Sequence, residues 1–161
     1  MNVTHVVGVD PGIVHTGVVD LLFQPDHRHI RVTHDAIAGP DAAAAKQWIE
    51  DQYGPTPHIF VEGYKPRSHY DSDARMTAAV QEMKRELHGT VLLNTGVKKV
   101  VKQPLMELLG CWKFSTVTHH QDLRSAARIA LLGMLKTEHL NRIVTAVVTD
   151  HLEGRTWNVC H

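Results

Sequence analysis

Two short apolar runs each terminate in a carboxylate, Val6-Val7-Gly8-Val9-Asp10 and Ile59-Phe60-Val61-Glu62, and a third carboxylate, Asp122, follows His119 by three residues. Continuously apolar runs suit strands buried on both faces, as in the parallel middle of an α/β sheet. Paired side by side, two such strands bring their ends to roughly 5 Å from one another. Carboxylates held that close repel unless a cation lies between them, and a hard divalent ion on oxygen ligands is the usual solution. The layout therefore suggests a divalent-metal nuclease site. Each acid also has an ordinary reading: Asp10 as a turn residue before Pro11-Gly12, Glu62 as the first wet position after a buried strand, Asp122 as an acid favoured in a helix first turn. Their joint placement argues for function, because ligands of open α/β sheets bind at the carboxyl ends of strands. Gly63 beside Glu62 permits close approach of a ligand.

At helical spacing His119 and Asp122 share a face as i and i+3, whereas His120 points away from Asp122. Asp122 is then a candidate metal ligand. His119 is either an imidazole ligand or a group that orients or deprotonates an attacking water. Ala126, Ala127, Ile129, Ala130 and Leu131 are small or apolar and let this helix pack closely on the sheet.

The elements that must position these groups follow from periodicity and breakers. The first strand enters a tight turn at residues 11–17, a second strand covers 17–23, and Gln24-Pro25-Asp26-His27 turns the chain again. Ile30 and Val32 alternate with Arg31 and Thr33, the period of a strand with one wet face, so the opening is a three-stranded antiparallel meander. Pro40-Asp41 starts a helix to about residue 52 that crosses over to the strand ending in Glu62, which makes strands one and four parallel. The basic and aromatic stretch 63–71, with Tyr64, Lys65 and Arg67, is expected to be an exposed loop. Ser72 or Asp73 caps a helix through residue 87, with Met76, Ala79, Val80, Met83 and Leu87 at core spacing and Gly89 as its stop. Residues 90–94 form a fifth strand. Helices follow from Pro104 to about residue 112, from about 118 to 135 and near 138–149, then a tail containing Trp157. The expected fold is α/β: a five-stranded mixed sheet, three strands antiparallel plus two parallel, flanked by helices.

With 161 residues the chain is expected to be one domain spanning 1–161. Seventeen basic residues balance seventeen acidic ones, which argues against a generic polyanion binder. The distribution is informative: Lys98, Lys99, Lys102 and Lys113 accompany a single acid, Glu107, and Lys65 and Arg67 follow Glu62. Such clusters can track phosphates, although solvated surface lysines give the same pattern. Of thirteen histidines, one or two are read as functional. Cys111 and Cys160 lack a CxxC partner and are expected to be idle thiols. Neither a signal-peptide pattern nor a membrane-length apolar run is present, so a cytoplasmic protein without membrane contact is expected.

Three blocks carry a family resemblance: GVDPGIVHTGVV at 8–19, IFVEGY at 59–64 and HHQDLRSAARIAL at 119–131. In order and spacing the chain resembles the RuvC family of Holliday junction resolvases, within the ribonuclease H-like superfamily, and most resembles its phage-encoded branch. The family pattern of acids falls on Asp10, Glu62, His119 and Asp122. What the resemblance implies is a ribonuclease H-like fold and a homodimeric, Mg²⁺- or Mn²⁺-dependent endonuclease that cuts branched DNA, four-way junctions above all. Two ions would be held by Asp10, Glu62 and Asp122, assisted by His119, in the host cytoplasm if the protein is phage-encoded. A two-fold dimer matches the symmetry of a four-way junction. Tyr64, Lys65, Arg67, Lys98, Lys99 and Lys102 are the expected DNA contacts. The chain departs from bacterial members in having Lys65 three residues beyond Glu62, where they carry an aromatic, and in Gln81 being followed by Glu82-Met83-Lys84 rather than Gln-x-x-Gly. These differences point to an enzyme for several branched DNAs, flaps and three-way junctions included.

Rival readings are weaker. An actin or sugar-kinase phosphate turn could use Asp10, Gly12 and Gly17, but the chain is too short for the two domains that chemistry needs. A silent branch-binding module would not require the acids. A nuclease trimming ribosomal RNA precursors shares the Asp-turn-Gly opening, yet the third block matches it poorly.

Overall fold

The structure, a computed structural model, describes residues 2–65, 71–114 and 118–161. β1 (Thr4–Asp10) runs antiparallel to β2 (His15–Gln24), and β2 antiparallel to β3 (His29–Ala38), after a 3-10 turn at Pro25–His27. α1 (Ala42–Glu50) begins where the Asp41 carboxylate accepts from the Ala44 amide at 3.0 Å, satisfying one of the orphan donors of a helix start. It delivers the chain to β4 (His58–Gly63), parallel to β1 as the crossover requires. α2 (Asp71–Leu87) leads to β5 (Thr90–Leu93), parallel to β4. Short helices α3 (Val97–Val100) and α4 (Gln103–Leu108) precede the long α5 (His120–Lys136) and α6 (Glu138–Leu152).

The sheet has six strands in the order β5-β4-β1-β2-β3-β6, not five, because β6 (Asn158–Cys160) adds to β3 in parallel. The tail after Trp157 is too short and too polar to display a strand period; it is held because Asn158 donates its amide to Arg28 O at 2.7 Å and Ile30 pairs with Val159. Two other expectations shift. The helix expected from Pro104 to about residue 112 stops at Leu108, with Pro104 in its first turn, and an unexpected four-residue helix at 97–100 precedes it. α2 starts at Asp71, so Ser72 and Asp73 lie within its first turn rather than before it.

Strand alternation sorts the core into two layers. Val7, Val9 and Val18 pack with Ala42, Ala45 and Ile49 of α1 and Val80, Met83 and Leu87 of α2. Val6, Val19, Leu21 and Phe23 pack on the other side with Leu123, Ala126, Ala127 and Ala130 of α5 and with the 97–114 segment. Cys111 is fully buried there, and burial pushes its thiol up to about 12, so it is inert at neutral pH.

One polar group interrupts the α1 side. His5 and Asp20 are buried neighbours on β1 and β2; His5 Nε2 meets the Asp20 carboxylate and Nδ1 lies 2.8 Å from Pro55 O. Both ring nitrogens therefore face acceptors, which requires the doubly protonated imidazolium. Burial by itself lowers the His5 pKa, but the hydrogen bond and charge of Asp20 outweigh it and the net shift is upward from 6.5. Among the described residues no helix is long and apolar enough to cross a membrane.

Candidate active site

Register brings the first two acids together. Val9 is the Cα partner of Val61, so the next residues along these parallel strands, Asp10 and Glu62, lie side by side at the carboxyl ends of β1 and β4. Both share the parity of Gly8 and Phe60, the face covered by α5. Asn94, just past β5, donates Nδ2 to Glu62 Oε1 at 2.6 Å and so orients that carboxylate.

Asp122 arrives through close helix-to-sheet contacts that only glycine allows. A Cβ on Gly8 would lie 1.9 Å from Ala126 O, and one on Gly17 would lie 2.7 Å from Asp122 O. Gly17 is the antiparallel partner of Asp10, so the contact that seats the first turn of α5 also places Asp122 against the Asp10 strand end. From the other side, Gly133 of α5 leaves room for the Phe60 ring, 2.4 Å from where its Cβ would stand. Gly8→Ala is expected to push α5 off the sheet and destabilise the protein by about 2 to 3 kcal/mol, the range of overpacking in a close-packed core. Chemical denaturation reads the loss; a variant as stable as the parent would show that α5 does not rest on Gly8.

His119 precedes α5 in the left-handed region, φ 76, rather than inside the helix, yet its Nδ1 is 3.6 Å from Asp122 Oδ2. Its ring lies 4.2 Å from that of His15, the first residue of β2. His120 turns away as expected, its Nε2 3.0 Å from Phe114 O.

The electrostatics register this crowding. Burial, a hydrogen bond shared with Glu62 and the charges of Glu62 and Asp122 push Asp10 up to about 10. An upward shift of this kind is the mark of carboxylates crowded together in a buried place. Among the described residues no group of three or more acid, histidine or cysteine side chains is arranged to hold one ion. The fit rests instead on donor chemistry: carboxylates from three elements affect one another's charge, one half-exposed imidazole lies beside them, and all the acid donors are hard oxygens suited to Mg²⁺ or Mn²⁺.

The other expected site residues are dispersed. Tyr64 is half-buried and donates its hydroxyl to the Asp73 carboxylate on α2, so the stretch after Glu62 is not simply an exposed loop at this residue. Lys65 is exposed; Arg67 lies outside the described residues. Lys98 and Lys99 on α3 and Lys102 before α4 are exposed. Residues that sequence reasoning passed over are Asn94, His15, Arg124, Arg128 and Trp112. Asn94 could have been found by the rule that singled out Glu62, since it too follows the end of a strand. His15 opens β2 just after the turn that follows Asp10, with no spacing signal that links it to His119.

No family model matches the chain, and no curated protein matches it in sequence. Among solved structures it is similar to T. thermophilus RuvC in complex with a Holliday junction substrate, with TM-score 0.55 and 16% identity over 80% of this chain and 90% of that one. It is also similar to another Thermus thermophilus RuvC structure, with TM-score 0.50 and 17% identity over 80% of this chain and 92% of that one. At such identities the likeness is one of fold: the chain shares the mixed α/β architecture of RuvC.

Proposed function

We propose that this protein is a Mg²⁺- or Mn²⁺-dependent endonuclease of the RuvC kind that cuts branched DNA, four-way junctions above all, as a homodimer. The observation that carries the reading is the register that sets Asp10 beside Glu62 at the ends of β1 and β4, with the first turn of α5, which carries Asp122, seated on Gly17. Two divalent ions at such a site would supply a hydroxide nucleophile and stabilise the leaving 3′-oxygen. Asp10, Glu62 and Asp122 would hold those ions through their carboxylate oxygens. Asn94 keeps Glu62 in one orientation. His119, beside Asp122, accepts the proton of the attacking water. A two-fold pair of chains would offer two such sites to opposed strands.

A second reading, a broader nuclease for flaps and three-way junctions, is favoured by Lys65 standing where a branch-point aromatic would be and by Tyr64 being tied to Asp73. One experiment tests both: end-labelled four-way, three-way, flap and linear duplex DNAs incubated with and without Mg²⁺ or Mn²⁺. Paired symmetric incisions in the four-way junction are expected. Equal cutting of flaps would favour the broader enzyme, and failure to cut any branched DNA with either ion would overturn the nuclease reading.

Lys98, Lys99 and Lys102 are proposed to bind phosphates. Replacing all three by Ala is expected to flatten the dependence of log Kobs on log[salt] by about 2 to 3, roughly 0.9 for each phosphate that is no longer neutralised. An unchanged slope would remove them from the interface.

A further inference from the structure

Beside the carboxylates the fold builds a cationic feature that the ion-binding reading does not use. Trp112, between α4 and α5, carries two guanidinium groups, Arg124 Cζ 3.8 Å and Arg128 Cζ 5.7 Å from the indole centroid. Arg124 Nε also donates to Trp112 O at 2.8 Å, so both ring and backbone of Trp112 fix that side chain. The two arginines are four apart on α5, two and six residues beyond Asp122, and all three side chains of the feature are half-buried.

This is an expensive arrangement for its own sake. The guanidiniums repel: burial, then the charge of Arg124, lowers the Arg128 pKa, and only the Glu62 carboxylate acts in the opposite direction. Among the described residues no carboxylate forms an ion pair with either arginine within 4.0 Å, although elsewhere Arg28, Arg31, Arg85, Arg142 and Arg155 all have one. The Nε of Arg128 is buried with no hydrogen-bond partner. Two like charges gathered at one indole ring, left without an ion-paired acid, present planar donor forks of the shape that binds phosphate oxygens. The Glu62 carboxylate is near enough to act on Arg128, so the feature borders the catalytic acids, and α3 with Lys98 and Lys99 packs against the same helix.

We propose that Arg124 and Arg128, stacked on Trp112, form a phosphate-binding shelf for the DNA strand that leads into the carboxylate site. The inference rests on the nuclease reading and adds to it the residues that grip the strand next to the point of cleavage. Arginine rather than lysine is required, because the fork must be held flat by the indole while its donors reach a phosphodiester.

The test is the salt dependence of binding of a fluorescein-labelled four-way junction by the full chain carrying Asp10→Asn, compared with the same chain carrying R128Q or R124Q with R128Q. R128Q is expected to reduce the slope of log Kobs against log[KCl] by about 1 and the double variant by about 2, with unfolding midpoints unchanged for R128Q. R128Q keeps the Arg124–Trp112 contacts, so it decides the matter even where the double variant fails to fold. Parental slope in a folded R128Q variant, in a protein that binds and whose wild type cuts branched DNA, overturns the shelf alone. Absence of junction binding by the parent together with absence of cutting by the wild type overturns the nuclease reading and the shelf with it.

Discussion

Asp10→Asn and Asp122→Asn are each expected to lower metal-dependent cleavage of branched DNA by about 10³-fold or more, while junction binding in the absence of cutting changes little. The size follows from the role proposed for the carboxylates: metal-assisted charge stabilisation is worth several kcal/mol in a phosphoryl transition state, and each 1.36 kcal/mol is about a factor of ten in rate. Asparagine keeps the volume and most of the hydrogen bonding of aspartate but cannot become the anionic oxygen ligand that a hard divalent cation requires. Binding should survive because the phosphate backbone is held by cations, and removing an acid beside it, if anything, reduces repulsion. Single-turnover cleavage of an end-labelled junction, with parallel gel-shift binding, checks both halves. A variant that still cuts at the parental rate would take its residue out of the active site.

Asp20→Ala is expected to destabilise the fold by about 3 to 4 kcal/mol, within the range for removing one partner of a buried ion pair. Asp20 is 0% and His5 2% exposed, so water cannot replace the missing carboxylate. His5 can shed its proton in the variant, which holds the cost toward the lower end of that range. The same pair imposes a pH dependence on the parent. His5 has a folded pKa raised above its ordinary 6.5, so its contribution is complete below that value and is lost as pH rises through the raised folded value. Urea midpoints measured from pH 6 upward should therefore fall on the alkaline side in the parent, and fall less in Asp20→Ala. Equal pH profiles would show that the pair is not ionised in the folded protein.

Much of this architecture could be read in advance. The apolar runs ending in Asp10 and Glu62 are strands with those acids at their carboxyl ends, the crossover through α1 makes β1 and β4 parallel, and Asp41 starts α1. These features are local: side-chain period, capping chemistry and breakers act within a few residues, so they survive in a one-dimensional record. β6 was not legible, since three residues carry no period and are ordered only by β3. Nor was α3, since a four-residue turn has almost no propensity signal.

The types of acid and their order along the chain are properties of the polypeptide alone, and they suffice to expect a cation between strands. That Asp10 is buried against Glu62 and its carboxyl shifted upward, that Asn94 steadies Glu62, and that Trp112 gathers Arg124 and Arg128 belong to packing. Distances between side chains from different elements depend on strand register and on how deeply α5 sits on Gly8 and Gly17, and the energy of a charge depends on how much water that packing excludes. Neither quantity exists until the helix is seated on the sheet.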